Sequence, residues 1–469
     1  MSAASRAFAL CLAVCLGVSA AAVSAAPPEK LTFGRFGEIA VYRPSANPAH
    51  VAIFLSGDGG WNKGILEMAD ALAAQDTLVF GVDTARYVKA LARSGDCGYP
   101  AGEFEALSQY AQKKLALPSY TVPVLVGYSS GATLAYATLA QAPTNTFRGA
   151  ISLGFCPDLP LRQPFCKGHG LVSRRSPDGK HVLVEPTSEL GVPWIVLQGE
   201  NDEVCDVRAT RDFVARVPRA KIVTLPSVGH GFSVAERWRP PLLESFTALA
   251  QPSEAARAPR AADVSDLPLI EIPAEGTASD LLAVVLSGDG GWASIDREVG
   301  GALAKHGVAV VGFDSLQYFW TRRTPDESAQ ALTRVVSHYL NAWHKERAAL
   351  VGYSRGADVL PFMASRLPSE LLPRIALVAL LGPARSVEFE FHLSDWIGGS
   401  SGESALAIAP EVAKLRGMRV LCVYGHDEGE SLCPDLDPSL ATRDERPGDH
   451  HFGGDYEGIA RRILEALGR

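Results

Sequence analysis

Short apolar runs rich in β-branched residues alternate with longer segments whose apolar positions recur with a helical period. Residues 51–55 and 78–82 predict strands, and residues 65–74 predict a helix between them. Strands that alternate with helices indicate right-handed βαβ units on a parallel sheet. The same pattern predicts strands at 39–42, 122–126, 150–153 and 194–197, and an amphipathic helix at 104–115.

The whole pattern occurs twice. Residues 56–61 and 287–292 share the sequence Ser-Gly-Asp-Gly-Gly-Trp, and Gly-Tyr-Ser-x-Gly-Ala occurs at 127–132 and 352–357. The strand-like runs 78–83 and 194–199 return in the same order at 308–314 and 420–425. Residues 251–266 have no hydrophobic period and predict a linker. The chain is therefore predicted to hold two copies of one α/β domain, at 30–250 and 267–469.

Each copy contains Gly-x-Ser-x-Gly directly after an apolar strand and before a helical segment. This context predicts a nucleophile elbow, in which a tight strand-to-helix turn exposes the serine hydroxyl. The two candidate nucleophiles are Ser129 and Ser354. A serine in a glycine-rich turn can also be only a turn residue, so the partners of the hydroxyl decide the interpretation.

A serine nucleophile needs a base to accept its proton and an acid to orient that base. In hydrolases with this elbow, the acid and then the histidine follow the serine along the chain. After Ser354, the sequence supplies Asp427 behind a predicted strand and His450 before the last helix. In the first copy, Ser129 is followed by Asp202 and His230, a set whose activity we leave open.

The surroundings of the second serine supply candidate substrate contacts. Gly288 and Asp289 lie in the repeated glycine-rich segment, where a backbone N–H can stabilise a developing oxyanion, and Arg355 follows the nucleophile. Asp289 either closes a turn or faces a cationic group. His451 is a neighbouring candidate contact, since alignment of the copies pairs His450 with His230. Further acidic side chains are predicted at this end of the sheet, either facing a cationic substrate or forming a solvated surface: Glu428, Glu430, Asp435, Asp437 and Asp455.

The amino-acid composition and motifs limit which partners and ligands are expected. The 469 residues include 47% hydrophobic and 20% charged residues, with a net charge of −8. Mild acidity without a basic cluster argues against a nucleic-acid partner. No cofactor motif and no Cys-x-x-Cys pair is present, so no cofactor or metal is predicted.

The first 25 residues predict a cleaved signal peptide, because Arg6 precedes an apolar core at 7–18 and small residues precede Ala26. The expected location is the periplasm. Six cysteines remain after cleavage, an even number that suggests disulfides in an oxidising compartment, although buried free thiols are the alternative. By proximity in sequence, the predicted pairs are Cys156 with Cys166, Cys422 with Cys433, and Cys97 with Cys205.

The doubled Ser-Gly-Asp-Gly-Gly-Trp, the second elbow and the ending His-His-Phe-x-Gly-Asp-Tyr at 450–456 resemble the AcvB/VirJ family of bacterial virulence proteins. The resemblance implies two tandem α/β-hydrolase-like domains, each a mostly parallel sheet flanked by helices. It also implies a periplasmic serine esterase that releases the amino acid from aminoacyl-phosphatidylglycerol, chiefly the lysyl ester, with a link to virulence and type IV secretion. Ser354, Asp427 and His450 match the family's nucleophile, acid and base.

Two other functions remain open from sequence. The hydrolase folds can serve binding, as in a non-catalytic periplasmic adaptor of a type IV secretion system. A general carboxylesterase or peptidase of the same fold is the other alternative.

Overall fold

The computed structural model describes residues 28–93, 97–251, 263–393 and 405–469. The predicted signal peptide lies outside the described residues, as does most of the predicted linker. We call residues 28–251 the first half and residues 263–469 the second half.

The strands of the first half follow the predicted apolar runs, with additional strands at both ends of the series. They are β1 (Glu29–Phe33), β2 (Gly37–Tyr42), β3 (His50–Leu55), β4 (Thr77–Val82), β5 (Val124–Tyr128), β6 (Ala150–Leu153), β7 (Asp158–Leu159), β8 (Ser173–Arg175), β9 (Val182–Val184), β10 (Trp194–Gly199) and β11 (Ala220–Leu225). The helices are α1 (Lys63–Ala73), α2 (Thr84–Leu91), α3 (Pro100–Lys114), α4 (Ser130–Gln141), α5 (Val207–Val214) and α6 (Ala235–Ala250).

The second half has a shorter series with the same alternation of strands and helices. Its strands are β12 (Leu269–Ile272), β13 (Leu281–Leu286), β14 (Ala309–Phe313), β15 (Arg347–Tyr353), β16 (Ile375–Leu381), β17 (Ser386–Val387), β18 (Leu406–Ala407), β19 (Val420–Gly425) and β20 (Thr442–Arg446). Its helices are α7 (Ser294–Lys305), α8 (Ser315–Tyr318), α9 (Pro325–Ala342), α10 (Arg355–Ala364), α11 (Ala409–Ala413) and α12 (Tyr456–Ala466).

Each half is built on one large sheet. Within the described residues, the first sheet has eight strands in the order β1-β2-β4-β3-β5-β6-β10-β11, and the second has seven in the order β12-β14-β13-β15-β16-β19-β20. The strands from β3 to β11 and from β13 to β20 that belong to these sheets pair in parallel. In the part of the chain that the structure describes, the antiparallel pairs of the two sheets are β1 with β2, β2 with β4 and β12 with β14. Buried apolar clusters cover both faces of each sheet. These features confirm the predicted fold class, two tandem α/β-hydrolase-like units.

The two halves contact each other through the end of α3 and the loop after α8. Lys113 Nζ donates to the backbone oxygen of Trp320 at 2.6 Å and pairs with Glu390 at 3.0 Å. The Trp320 indole N–H donates to the Leu117 carbonyl at 2.8 Å, and its ring lies 5.4 Å from that of Tyr120. Tyr120, a residue of the first half, is therefore packed into the buried core of the second half.

Three disulfides join six cysteines of the described residues, and their pairing corrects two of the three predicted bonds. The bonds are Cys97–Cys166, Cys156–Cys205 and Cys422–Cys433. In both corrected pairs, the cysteines are far apart in sequence but close in space. Cys156 follows β6 and Cys205 follows β10, two strands that pair in parallel and end side by side. A backbone bridge between Gly98 and Phe165 brings Cys97 to Cys166. Disulfides are typical of proteins that fold in an oxidising compartment.

Among the described residues, no helix is both long enough and apolar enough to cross a bilayer.

We expect removal of the Cys156–Cys205 bond to destabilise the chain more than removal of Cys422–Cys433. The first bond joins residues 49 apart and the second joins residues 11 apart. A longer loop restricts the unfolded chain more, so the serine variants of the first pair should lose about 3–4 kcal/mol and those of the second about 1 kcal/mol less. Urea unfolding of the two double variants measures the difference. Equal losses would contradict the expected dependence on loop length.

Candidate active sites

Both candidate nucleophiles occupy strained elbows at the centre of their sheets. Ser129 lies between β5 and α4 with φ 56° and ψ −123°, and Ser354 lies between β15 and α10 with φ 51° and ψ −122°. A positive φ is uncommon for residues with a side chain and marks backbone strain that the surrounding structure must hold in place. The turn places each serine at the carboxyl end of a central parallel strand, as predicted.

In the second elbow, there is no room for a side chain at either glycine of the motif. A Cβ on Gly352 would lie 2.4 Å from the Gly356 carbonyl oxygen, and a Cβ on Gly356 would lie 2.2 Å from the Leu286 carbonyl oxygen. Both distances are far below van der Waals contact with backbone atoms that cannot move aside. The first elbow has the same restriction at Gly127 and Gly131. Gly-x-Ser-x-Gly therefore encodes the close approach of the strand, the elbow and the next helix.

The first site brings all three predicted residues together. His230 Nε2 lies 2.9 Å from Ser129 Oγ, and His230 Nδ1 lies 2.9 Å from Asp202 Oδ2. Backbone N–H groups of Val204 and Cys205 donate to Asp202 Oδ1 at 2.9 and 2.8 Å. Burial raises the pKa of Asp202, but the hydrogen bonds from His230 and Cys205 outweigh it, so the pKa lies below its usual value. A charged Asp202 holds the proton of His230 on Nδ1 and leaves Nε2 free to accept from Ser129.

In the second site, the structure corrects the predicted acid. The carboxylate beside His450 belongs to Glu428, whose Oε1 lies 2.5 Å from His450 Nδ1. The prediction that Asp427 orients this histidine is therefore wrong. Asp427 is exposed, and its backbone N–H donates to the Gly448 carbonyl at 2.9 Å. The turn after β19 directs the next residue inward, and Glu428 Oε2 also accepts from the Gly425 N–H at 3.1 Å.

A signal for Glu428 was present in the sequence. Asp202 lies three positions after Gly199, the last residue of β10, and Glu428 lies three positions after Gly425, the last residue of β19. The backbone N–H groups of both acids donate to those glycine carbonyls, at 3.3 and 3.1 Å. Alignment of the two copies from the ends of these strands would have identified Glu428.

His450 occupies the position in the second half that His230 occupies in the first. A Cβ on Gly382 would lie 2.7 Å from His450 Cε1, as one on Gly154 would lie 3.2 Å from His230 Cε1. Among the hydrogen bonds of the described residues, none joins Ser354 Oγ to His450. Catalytic hydrogen bonds are often long before substrate binds. His451, the other predicted contact, is exposed, and its backbone N–H donates to Asp449 at 2.9 Å.

The predicted oxyanion and substrate residues surround Ser354. A Cβ on Gly288 would lie 3.3 Å from Ser354 Cβ, so the loop 287–292 passes directly beside the nucleophile. Arg355 Nε donates to Asp289 Oδ1 at 3.1 Å, and the guanidinium lies 4.3 Å from the ring centre of Phe391. Asp289 is thus paired with Arg355. Within the loop, the N–H groups of Ser287 and Gly291 donate to the Phe313 and Gly288 carbonyls. In elbows of this type, the N–H of the residue after the nucleophile, here Arg355, stabilises the oxyanion.

Three of the other predicted acidic residues have structural partners. Asp435 pairs with Arg385 at 2.9 Å, Asp437 accepts from the Ser439 N–H at 2.8 Å, and Asp455 accepts from the Gly458 N–H at the start of α12 at 2.9 Å. Glu430 is exposed. These four fit the solvated-surface alternative better than a substrate-binding role.

Sequence reasoning missed Asp358, on the first turn of α10. Its carboxylate is buried and accepts from the Ala384 N–H at 2.7 Å. Burial raises the pKa of Asp358 to about 7. Burial lowers the pKa of His450, but the hydrogen bond and charge of Glu428, together with the charges of Asp358 and Asp289, outweigh it and raise the pKa above its usual value.

We expect Asp358→Asn to move the acidic limb of the pH profile of kcat/KM towards lower pH. Negative charges near His450 stabilise its protonated form, so removing one lowers its pKa, and the neutral base then becomes available at lower pH. The asparagine keeps an oxygen for the Ala384 N–H. Thr133→Ser, at the matching position of α4, is the control. A shift towards higher pH would contradict the assigned electrostatics.

One grouping has the spacing of a metal site. Ligand atoms of Asp202, Cys205 and His230 lie within 4.8 Å of one another. The sulfur of Cys205 is bonded to Cys156 and cannot act as a thiolate ligand. The other two residues are already engaged with each other in the first site.

A family model described as bacterial virulence protein (VirJ) matches residues 49–153 and 280–469. Solved structures similar to this chain include Est1E from Butyrivibrio proteoclasticus, with 14% identity, 48% of this chain and 99% of that chain covered, and a TM-score of 0.33. Another is XC6422 from Xanthomonas campestris, an a/b serine hydrolase without lid, with 20% identity, 48% and 97% coverage and a TM-score of 0.32. A third is the esterase Est2 from Thermogutta terrifontis, with 14% identity, 49% and 98% coverage and a TM-score of 0.34. No curated protein sequence matches the chain.

Proposed function

Because this chain belongs to the VirJ family of bacterial virulence proteins, we propose that it is a periplasmic serine esterase acting on aminoacyl-phosphatidylglycerol. It releases the amino acid, chiefly lysine, and phosphatidylglycerol. The observation that carries this proposal is the contact of Glu428 with His450 beside the strained elbow of Ser354. The substrate itself comes from the resemblance of the sequence motifs to this family.

The chemistry follows from the positions of these groups. His450 accepts the proton of Ser354 as Oγ attacks the ester carbonyl, and Glu428 stabilises the imidazolium that forms. Backbone N–H groups of Arg355 and of the loop 287–292 stabilise the tetrahedral oxyanion. His450 then gives its proton to the departing glycerol oxygen. A water molecule, activated by the same histidine, hydrolyses the aminoacyl-serine and restores the enzyme.

The charges around the second site support a cationic acyl group. Glu428 and Asp358 both act on His450, whereas the first half has Thr133 where the second has Asp358. An aminoacyl ester carries an ammonium group next to the reacting carbonyl, and nearby carboxylates favour such a substrate over a neutral one. The three disulfides support folding outside the reducing cytosol.

Purified full-length protein should release free lysine and phosphatidylglycerol from lysyl-phosphatidylglycerol in mixed micelles, as detected by mass spectrometry. The Ser129→Ala/Ser354→Ala double variant is the blank, since it keeps the fold and lacks both hydroxyls. Hydrolysis of simple esters without any release from the lipid would contradict the proposed substrate and favour a general carboxylesterase.

A second candidate function, a general carboxylesterase, is favoured for the first site. Ser129 and His230 are already within hydrogen-bond distance at 2.9 Å, and the neutral side chains of Ser130 and Thr133 replace Arg355 and Asp358. A neutral site suits an uncharged acyl group. Hydrolysis of p-nitrophenyl butyrate should therefore persist in Ser354→Ala and be lost in Ser129→Ala. The reverse pattern would assign this activity to the second site.

A further inference from the structure

A cavity of about 690 Å³ lies between the two halves, on the side of the loop 287–292 that faces the first half. The first half lines it with Glu105, Tyr120 and Arg148, and the second half with Trp292 and Arg297. Cavities of this size accommodate small molecules. Neither half forms this cavity alone.

Glu105 faces the loop that passes beside the second nucleophile. Its Oε1 lies 3.5 Å from the position that a Cβ on Gly290 would occupy. Burial alone raises the pKa of Glu105 to about 7, and no cation among the described residues contributes to that pKa. By contrast Glu103, on the same helix, pairs with Arg35. A half-buried carboxylate without a cation is poorly compensated, and a cationic ligand would stabilise its charged form.

Two aromatic residues line the same cavity. Tyr120 and Trp292 line the cavity, and the charge of Glu105 contributes to the raised pKa of Tyr120, which indicates that the two side chains are close. Ring faces attract ammonium groups electrostatically. A cavity lined by a carboxylate and by aromatic residues is therefore suited to an organic ammonium.

Two arginines, Arg148 and Arg297, also line the cavity and give it positive charge. Burial lowers the pKa of both Arg148 and Arg297. Among the described residues, neither guanidinium donates a hydrogen bond to another side chain or to the backbone. Guanidinium groups bind carboxylates and phosphates through paired N–H donors. One arginine comes from each half, so an anion bound here would contact both halves.

We propose that this cavity binds a zwitterionic ligand, with its ammonium group against Glu105 and its anionic group between Arg148 and Arg297. Two sources have this chemistry: the aminoacyl-phosphoglycerol headgroup of the lipid, and the released amino acid. The choice of these two sources rests on the proposed function, whereas the proposed binding of a zwitterion does not. Because Gly288, on the same loop as Gly290, lies beside Ser354, occupancy of the cavity is linked to the geometry of the second site.

Calorimetric titration of the full-length protein with 6-aminohexanoate tests the proposal. Hexanoate lacks the ammonium group and hexylamine lacks the anion, so each should bind about tenfold or more weakly. Glu105→Gln should reduce the affinity for 6-aminohexanoate to that for hexanoate. Arg297→Gln should reduce it to that for hexylamine. The control is Glu67→Gln, on an exposed position of α1, which should leave the affinity unchanged.

No saturable binding of 6-aminohexanoate to the wild-type chain, or equal affinity in Glu105→Gln and wild type, would overturn the proposal. Without ligand, Glu105→Gln should melt at the same temperature as wild type or higher, because it removes a half-buried carboxyl that has no cationic partner. A lower melting temperature would assign Glu105 a structural role and would also count against a ligand site. Arg297→Gln provides an independent test if one variant fails to fold.

Competition experiments on the Ser129→Ala/Ser354→Ala protein identify the source of the ligand. Displacement of 6-aminohexanoate by lysyl-phosphatidylglycerol micelles but not by L-lysine would assign the cavity to the lipid headgroup. Displacement by L-lysine would assign it to the released amino acid, and displacement by neither would overturn the proposal. Since this protein cannot turn over, a failure of the proposed esterase activity leaves the binding result interpretable.

Discussion

Glu428→Gln should lower kcat for the lysyl ester about 10⁴-fold, whereas Asp427→Asn should leave kcat within about a factor of three of wild type. Glu428 lies against His450 Nδ1, and Asp427 is exposed to solvent. A neutral glutamine cannot stabilise the imidazolium, and its amide can hold the wrong tautomer of the histidine. Steady-state kinetics of both variants on lysyl-phosphatidylglycerol measure the effect.

The two substitutions are matched, because each changes one carboxylate to an amide in adjacent residues of the same turn. Circular dichroism of both variants checks that the fold is retained. A large loss in Asp427→Asn with an unaffected Glu428→Gln would restore the assignment made from sequence and contradict the observed contact.

Ser354→Ala should lower turnover of the lysyl ester by about 10⁴- to 10⁶-fold, because it removes the nucleophile and leaves only oxyanion stabilisation and binding. Ser129→Ala should keep the wild-type rate on this substrate. The contrast arises because Asp358, one of the acidic groups near His450, is replaced by the neutral Thr133 in the first half. Release of lysine is the measurement for both variants.

Ser129→Ala is the matched control, since it makes the same change at the same elbow of the other copy. Substantial turnover in Ser354→Ala, with loss in Ser129→Ala, would place the lysyl esterase in the first half. Such a result would refute the assignment of the working site.

The repeat, the strands and the elbows were predictable from sequence because their signals are local. An apolar run of β-branched residues forms a strand, and two glycines around a serine permit a turn that other residues cannot make. The first site was predictable for the same reason, as each of its residues follows a strand or precedes a helix. The strands β7, β8 and β9 have only two or three residues each, too few to show a period, and were missed.

The acid of the second site depended on contacts that the local sequence does not specify. Consecutive carboxylates Asp427 and Glu428 both follow β19. The turn that contains them is held by hydrogen bonds to the Gly448 and Gly425 carbonyls, and the first of these bonds joins residues distant in sequence. Two of the predicted disulfides were wrong for a similar reason. Cys156 is nearer to Cys166 in sequence, but the pairing of β6 with β10 brings it to Cys205.

The cavity between the halves could not be predicted at all. Glu105 and Arg297 lie almost 200 residues apart, and only the packing of α3 against the second half brings them to one space. In the sequence Glu105 is one acidic position of an amphipathic helix.

Covalent labelling tests the central claim, that Ser354 is an activated nucleophile, most directly. Folded full-length protein is treated with a fluorophosphonate, digested, and mapped by mass spectrometry. We expect an adduct on the peptide that carries Ser354, with labelling greatly slowed in Glu428→Gln and unchanged in Asp427→Asn. Folded protein in which Ser354 stays unmodified at any probe concentration would contradict the account and favour a non-catalytic adaptor.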